Sequence, residues 1–185
     1  MKKKGFAIGL MLILIALGLS GCVSESPISK GNVKFTLGKA TIMSELEIFD
    51  SLMNETKTVT SNNSKFVIIP ITIENKENMM LEVQEGPFDG LKDDNGNNYY
   101  HKMYVEINNS TYSVESITSI KKSELFDSGL GISTDVSPNS TVLKKIVYQI
   151  PLDRTPEKLR LAYGFKENEL TSVKDWYTTI LDVPI

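Results

Sequence analysis

The sequence predicts an all-β fold, an antiparallel β-sandwich of about seven to nine short strands. Three observations carry this. Apolar residues alternate with polar ones over short stretches, clusters of Asn, Gly, Pro and Ser separate those stretches, and helical periodicity is nearly absent.

Val33, Phe35 and Leu37 alternate as in a half-buried strand, and Gly38 breaks the run with a bend or bulge. The stretch from Glu45 to Met53 fits either period, because Leu46, Ile48 and Leu52 suit helix and strand alike. Residues 54–64 are polar and are expected to form a loop. The strongest strand runs from Lys65 to Asn75, continuously apolar from Phe66 to Ile69 and alternating afterwards. Pro70 has no N–H to give to a ladder, so an edge or a bulge is expected there. A turn at Asn75–Asn78 leads to a strand at Met79–Val83. The run Asp93-Asp94-Asn95-Gly96-Asn97-Asn98 is a tight hairpin loop in which Asn-Gly supplies positive φ, and Tyr99 and Tyr100 open the returning strand.

Tyr104–Ile107 and Thr111–Val114 flank Asn108-Asn109-Ser110 as a second hairpin. Residues 116–135 are irregular, with a short helix expected near Lys122–Phe126. A segment of that length is a candidate contact site for a partner. A turn at Ser137–Ser140 precedes strands at Val142–Ile150 and Leu159–Tyr163, and Trp176–Val183 closes the chain.

The N-terminus carries an address. Lys2, Lys3 and Lys4 precede an apolar run from Phe6 to Leu19, about 14 residues, which suits a signal-peptide core and falls short of the roughly 20 needed to span a bilayer. Leu19-Ser20-Gly21-Cys22 follows and resembles the lipobox of prokaryotic lipoproteins. Ser20 and Gly21 are small enough for a peptidase site, and the Cys22 thiol is the acceptor of a diacylglycerol. The competing reading is an uncleaved anchor, since the uncharged stretch from Gly5 to Ser24 just reaches across a bilayer. Both place the domain on the extracytoplasmic face, because the lysines stay inside. The expected organisation is a signal peptide at 1–21, a lipidated N-terminus and linker at 22–32, and one sandwich domain at 33–185.

Cys22 is the only cysteine, so no disulfide supports the domain. The chain from Cys22 onward has 164 residues, enough for a hydrophobic core. The formal charge of −3 becomes −6 once the three lysines are removed, which argues against a nucleic-acid partner. The linker reaches roughly 35 Å at most when fully extended, so the domain stays near its membrane.

Three stretches, Phe66–Asn75, Phe88–Tyr99 and Val136–Thr141 with Ile146–Pro151 and Leu159–Leu161, resemble a family of uncharacterised prokaryotic lipoprotein domains with a telokin-like, immunoglobulin-like β-sandwich. Related folds include a mycobacterial secreted immunogenic protein. The likeness spans about 100 residues. Where the family usually shows Pro-Gly, this chain has Pro138-Asn139. Residues 116–135 look like an insertion, and the tail beyond Phe165 is longer than usual. The resemblance implies an immunoglobulin-like sandwich at a membrane surface, and it implies no catalytic residues.

Candidate chemistry is sparse. His101 is the only histidine, and no Gly-x-Ser-x-Gly elbow accompanies it. Asp93, Asn95 and Asn97 alternate like the start of a calcium loop. An EF-hand, however, needs Gly sixth and Glu twelfth, whereas here Gly96 is fourth and Tyr104 twelfth. Glu82, Glu85, Asp89, Glu106 and Glu115 are the carboxylates on or near strands that a glycoside hydrolase would have to pair. No zinc motif, P-loop or dinucleotide fingerprint is present, and no cofactor or metal is expected. Asn54, Asn62, Asn108, Asn109 and Asn139 each begin an Asn-x-Ser/Thr sequon and are candidate glycosylation sites. Tyr99, Tyr100, Tyr104, Tyr112, Trp176 and Tyr177 could line a binding surface, although core and cross-strand packing are expected for most.

The expected function is that of a lipid-anchored, extracytoplasmic, non-catalytic binding or structural module that meets a protein or an envelope polymer. The alternatives are an accessory or solute-binding component of a membrane transporter or envelope complex, and a carboxylate-based hydrolase.

Overall fold

A computed structural model describes residues 31–85, 90–126 and 133–185. Among them the regular structure is all β, interrupted by two single 3-10 turns. Along the chain come β1 (Val33–Leu37), β2 (Thr41–Met43), β3 (Glu45–Asp50), β4 (Glu55–Thr60) and β5 (Ser64–Asn75). Then follow β6 (Met80–Gln84), β7 (Gly90–Asp93), β8 (Asn98–Tyr99), β9 (Tyr104–Ile107) and β10 (Ser110–Ser113). The last four are β11 (Thr134–Val136), β12 (Ser140–Pro151), β13 (Pro156–Lys166) and β14 (Trp176–Asp182).

One sheet is built on β5. It pairs along its whole length with β12 on one edge, and with β1 and then β2 on the other. A second sheet is built on β13, which carries β14 on one edge and β6 followed by β7 on the other. β11 extends this sheet beyond β6, and β8 beyond β7. Val67, Ile69, Ile71 and Ile73 of β5 join Ile146, Tyr148 and Ile150 of β12 in one core with Leu81, Val83, Leu159, Leu161, Tyr163 and Leu181 of the other sheet. This packing is consistent with a β-sandwich.

The unbroken apolar run in β5 has a structural cause. Phe66 and Ile68 point to the opposite face, where with Val147 they meet Leu46, Ile48, Val105, Ile107, Val114, Ile117 and Ile120 in a second core. The β5–β12 sheet is therefore covered on both sides, and a strand buried on both faces reads as continuously apolar. The second cover comes from the antiparallel hairpins β3–β4 and β9–β10 and the segment after them.

Pro70 is accommodated by a break in its neighbour. Leu37 pairs with Ile71 and Thr41 with Ile68, so residues 38–40 bridge the gap opposite Pro70. The Gly38 amide donates to the Pro70 carbonyl at 2.8 Å. A second break separates β4 from β5 at residues 61–63. There the Ser61 amide donates to the Ser44 carbonyl at 2.8 Å, and the Ser61 and Ser64 hydroxyls lie 2.7 Å apart. The β3–β4 hairpin continues β2–β5 through this break and folds back onto the outer face of the sheet.

Several expectations change. Residues 54–64 do not form a loop: Glu55–Thr60 is β4, paired residue for residue with β3. Its Thr and Val residues favour strand, but it lies mostly exposed, so the apolar alternation sits on β3 instead. The expected helix near Lys122–Phe126 is a 3-10 turn at Lys122–Glu124, after which Leu125 bridges Lys145 of β12. Among the described residues there are fourteen strand segments where seven to nine are expected, partly because the breaks at 38–40, 44 and 61–63 divide longer runs. Residues 116–126 are not a free contact loop either. Ile117, Ile120 and Phe126 are buried in the two cores, and only 127–132 of that segment lie outside the described residues.

Candidate functional site

The clearest exposed feature is the turn of the β3–β4 hairpin. Turn tips are commonly polar; this one carries Leu52, 93% exposed, and Met53, 71% exposed. Its backbone is held from below. Asp50 Oδ1 accepts from the amides of Leu52 at 3.1 Å and Met53 at 3.3 Å, and Asn54 takes the left-handed conformation at φ 53°. Lys57 Nζ donates to Asp50 Oδ2 at 3.0 Å. That bond holds the Asp50 carboxyl below its usual range and raises Lys57 in turn. The turn thus offers two apolar side chains above a carboxylate matched by its own cation. Phe49 adds partly exposed apolar surface beside them. Along the same hairpin a groove of about 410 Å³ is lined by Met43, Glu45, Leu46, Glu47, Thr58 and Ser119.

A second concavity, about 580 Å³, lies on the outer side of the β13 sheet between Glu82, Lys166, Trp176 and residues 169–173. Lys166 is buried at its floor and binds Glu82 Oε2 and Asp135 Oδ2, both at 2.8 Å. Burial alone would lower the Lys166 pKa, but the bonds to Asp135 and Glu82 outweigh it and raise it. Adjacent strands place these groups together: Asp135 pairs with Glu82, and Glu82 with Gly164, two residues before Lys166.

Asp93 is engaged by its own hairpin. Its carboxylate accepts from the Asn95 and Asn97 amides at 2.9 and 2.8 Å, from Asn97 Nδ2 at 2.9 Å and from the Tyr99 hydroxyl at 2.9 Å. Burial pushes its pKa up, and these four bonds more than reverse that, holding it at about 2. The loop that resembled the start of a calcium site is organised around a carboxylate already occupied by protein donors. Among the described residues no group of three His, Cys, Asp or Glu gathers as a metal site.

His101 lies between β8 and β9 rather than on a strand. Its Nδ1 is 2.9 Å from Glu85 Oε2, and its amide donates to the same oxygen at 3.0 Å. The Tyr148 hydroxyl donates to Glu85 Oε1. Burial, then the negative charge of Glu85, push the Tyr148 hydroxyl well above its ordinary pKa. The cluster ties the end of β6 to β12 and to the chain before β9. Glu106 and Glu115 are exposed, and Asp89 lies outside the described residues.

All five sequon residues are exposed. Asn54 forms the β3–β4 turn and Asn62 sits in the break before β5. Asn108 and Asn109 make the two-residue turn of β9–β10 with φ of 49° and 65°, the type I′ signature. Asn108 Nδ2 donates to the Thr60 carbonyl at 3.0 Å, and Asn139 Nδ2 to Asn78 Oδ1 at 3.1 Å. The aromatic residues divide. Tyr99 and Tyr177 pack on the main core and Tyr112 on the second, while Tyr100, Tyr104 and Trp176 are exposed.

Cys22 and residues 1–21, where a signal peptide is expected, lie outside the described residues, and among the described residues no helix is long and apolar enough to cross a membrane. Sequence reasoning missed the Leu52–Met53 tip and the Glu85–His101–Tyr148 and Lys166–Glu82–Asp135 clusters. The tip had one signal, apolar residues directly before Asn54. Comparison with protein-family models, curated proteins and solved structures finds no match to this chain.

Proposed function

We propose that this chain is an exported lipoprotein, acylated at Cys22 and held on the extracytoplasmic face. Its domain is a non-catalytic binding module that contacts a protein or envelope polymer through the β3–β4 turn. The anchor is supported by Leu19-Ser20-Gly21-Cys22 behind three lysines and an apolar run. The binding reading is carried by the exposure of Leu52 and Met53 on a turn locked by Asp50 and Asn54. A preorganised apolar contact loses little conformational entropy on binding. An immunoglobulin-like assignment is supported by the strand order, with β1–β5–β12 packed against β6–β13–β14.

Photo-crosslinking tests this. A photoreactive residue at position 52 of the full chain in its native membrane is expected to give one discrete adduct with a protein or polymer. A control at Lys158, exposed on β13, should give none. Adducts to neither, or equally to both, would sink the reading. The groove above Lys166 favours the alternative of a solute-binding or transporter-accessory component. One defined transporter captured from positions lining that groove, and none from 52, would select it.

A further inference from the structure

The chain enters the domain at one end, and that end is unlike the other. Gly31, at φ 89°, lies against the Phe165 ring so closely that an added Cβ would sit 3.0 Å from Cζ. The Asn32 amide donates to Glu77 Oε1 at 2.7 Å, and the Lys76 amide to the Asn32 carbonyl at 2.9 Å. The Asn139 amide donates to the Glu77 carbonyl at 3.2 Å. The tether therefore arrives among the β5–β6 turn, the β11–β12 turn and the end of β13. The loop 167–175 leaves from that same end, since Lys166 pairs with Met80.

That loop carries Leu170, 97% exposed, the most exposed large apolar side chain among the described residues. It is held there. The Leu170 amide donates to Asn168 Oδ1 at 2.9 Å, the Thr171 amide to the Asn168 carbonyl at 3.2 Å, and the Asn168 amide to Thr171 Oγ1 at 3.1 Å. Farther along, Val173 is pressed onto Gly164, where any side chain would collide with it. The loop is clamped at its root while Leu170 projects. Met79 and Trp176, both 41% exposed, are further large apolar groups at this end.

We propose that this end is the membrane-facing surface, with Leu170 dipping into the lipid interface as a further contact beside the acyl chains. The inference rests on the anchor at Cys22. Nine residues from Cys22 to Gly31 span about 30 Å at most, and β5 carries the opposite end roughly 36 Å further off. A bilayer thus lies within reach of Leu170. The two acyl chains of a diacylglycerol at Cys22 already hold the chain at the bilayer, so the Leu170 contact serves to fix which face of the domain meets the lipid. Trp suits the headgroup level, where one edge is apolar and the other wet. Glu167 and Glu169 flank Leu170, so the contact is shallow and favours zwitterionic over anionic lipid.

Trp176 is the chain's single tryptophan, which makes the test direct. The full-length lipoprotein is prepared as W176F/L170W and as W176F/L52W in phosphatidylcholine vesicles containing lipids brominated on the acyl chain. Position 170 is expected to emit at shorter wavelength and to be quenched at least twofold, with weaker quenching in phosphatidylglycerol. Position 52 is expected to stay unquenched. Equal quenching at the two positions, or none at 170, overturns the proposal. Mass spectrometry of the Cys22 peptide reports separately on the anchor. If Cys22 carries no acyl chain the anchor reading falls, and quenching at 170 with added vesicles still decides the membrane contact.

Discussion

The carboxylate of Asp93 lies under its own hairpin turn, out of water, and three of its four donors come from within four residues of it. Removing it strands buried donors, so Asp93→Ala is expected to cost about 1–3 kcal/mol in urea unfolding. The pH dependence has a definite sign. A group whose folded pKa falls from 3.8 to about 2 adds stability that is complete above 3.8 and is lost as pH drops through about 2. The stability gap between the native protein and Asp93→Asn should therefore narrow between about pH 4 and pH 2. A gap that stays constant across that window would contradict this account. The polar hairpin tip was legible from Asp93 to Asn98, because turn chemistry is local. The Glu85–His101–Tyr148 cluster was not, because its members are 16 and 63 residues apart and only the pairing of the strands brings them together.

At the level of elements, the second core depends on one hairpin. Ile48 is buried there, bridges Ile117, and sits between exposed Glu47 and partly exposed Phe49. Ile48→Ala is expected to cost about 2–4 kcal/mol as a large-to-small core change. Because the hairpin is one local unit, amide exchange should accelerate most in 55–60 and in 110–120, and little in β13 and β14. Uniform acceleration would mean that the two cores open together. Strands with a strongly apolar buried face, β1, β5, β12 and the middle of β13, were legible. β3 and β4 were not, because β4 is polar along most of its length and Leu52 continues the apolar spacing of β3 into an exposed turn. Ile117 and Ile120 look like residues of an irregular loop until the sheet they cover is known.

For the whole molecule, the all-β character was readable from short alternating runs, whereas the three-layer arrangement around β5 was not. The run Phe66–Ile69 reads only as a strong strand in the sequence, and its burial on both faces emerges once the second core is seen. Attachment belongs to this scale as well. Cys22→Ala is expected to leave the precursor without lipid and unprocessed, as read by lipid labelling and by its mass. A variant still processed and lipid-labelled would refute the anchor. The break at Pro70 has a consequence for how the chain finds its alignment. A one-residue slip of a strand normally turns its apolar side chains to water, and that penalty fixes the pairing. Between Phe66 and Ile69 both faces are oily, so a slipped β5 would still bury every side chain there, merely trading the contents of the two cores. The missing N–H of Pro70 and the gap at 38–40 can meet at only one offset. They act as an index mark, telling a strand that hydrophobicity alone cannot orient which way round it belongs.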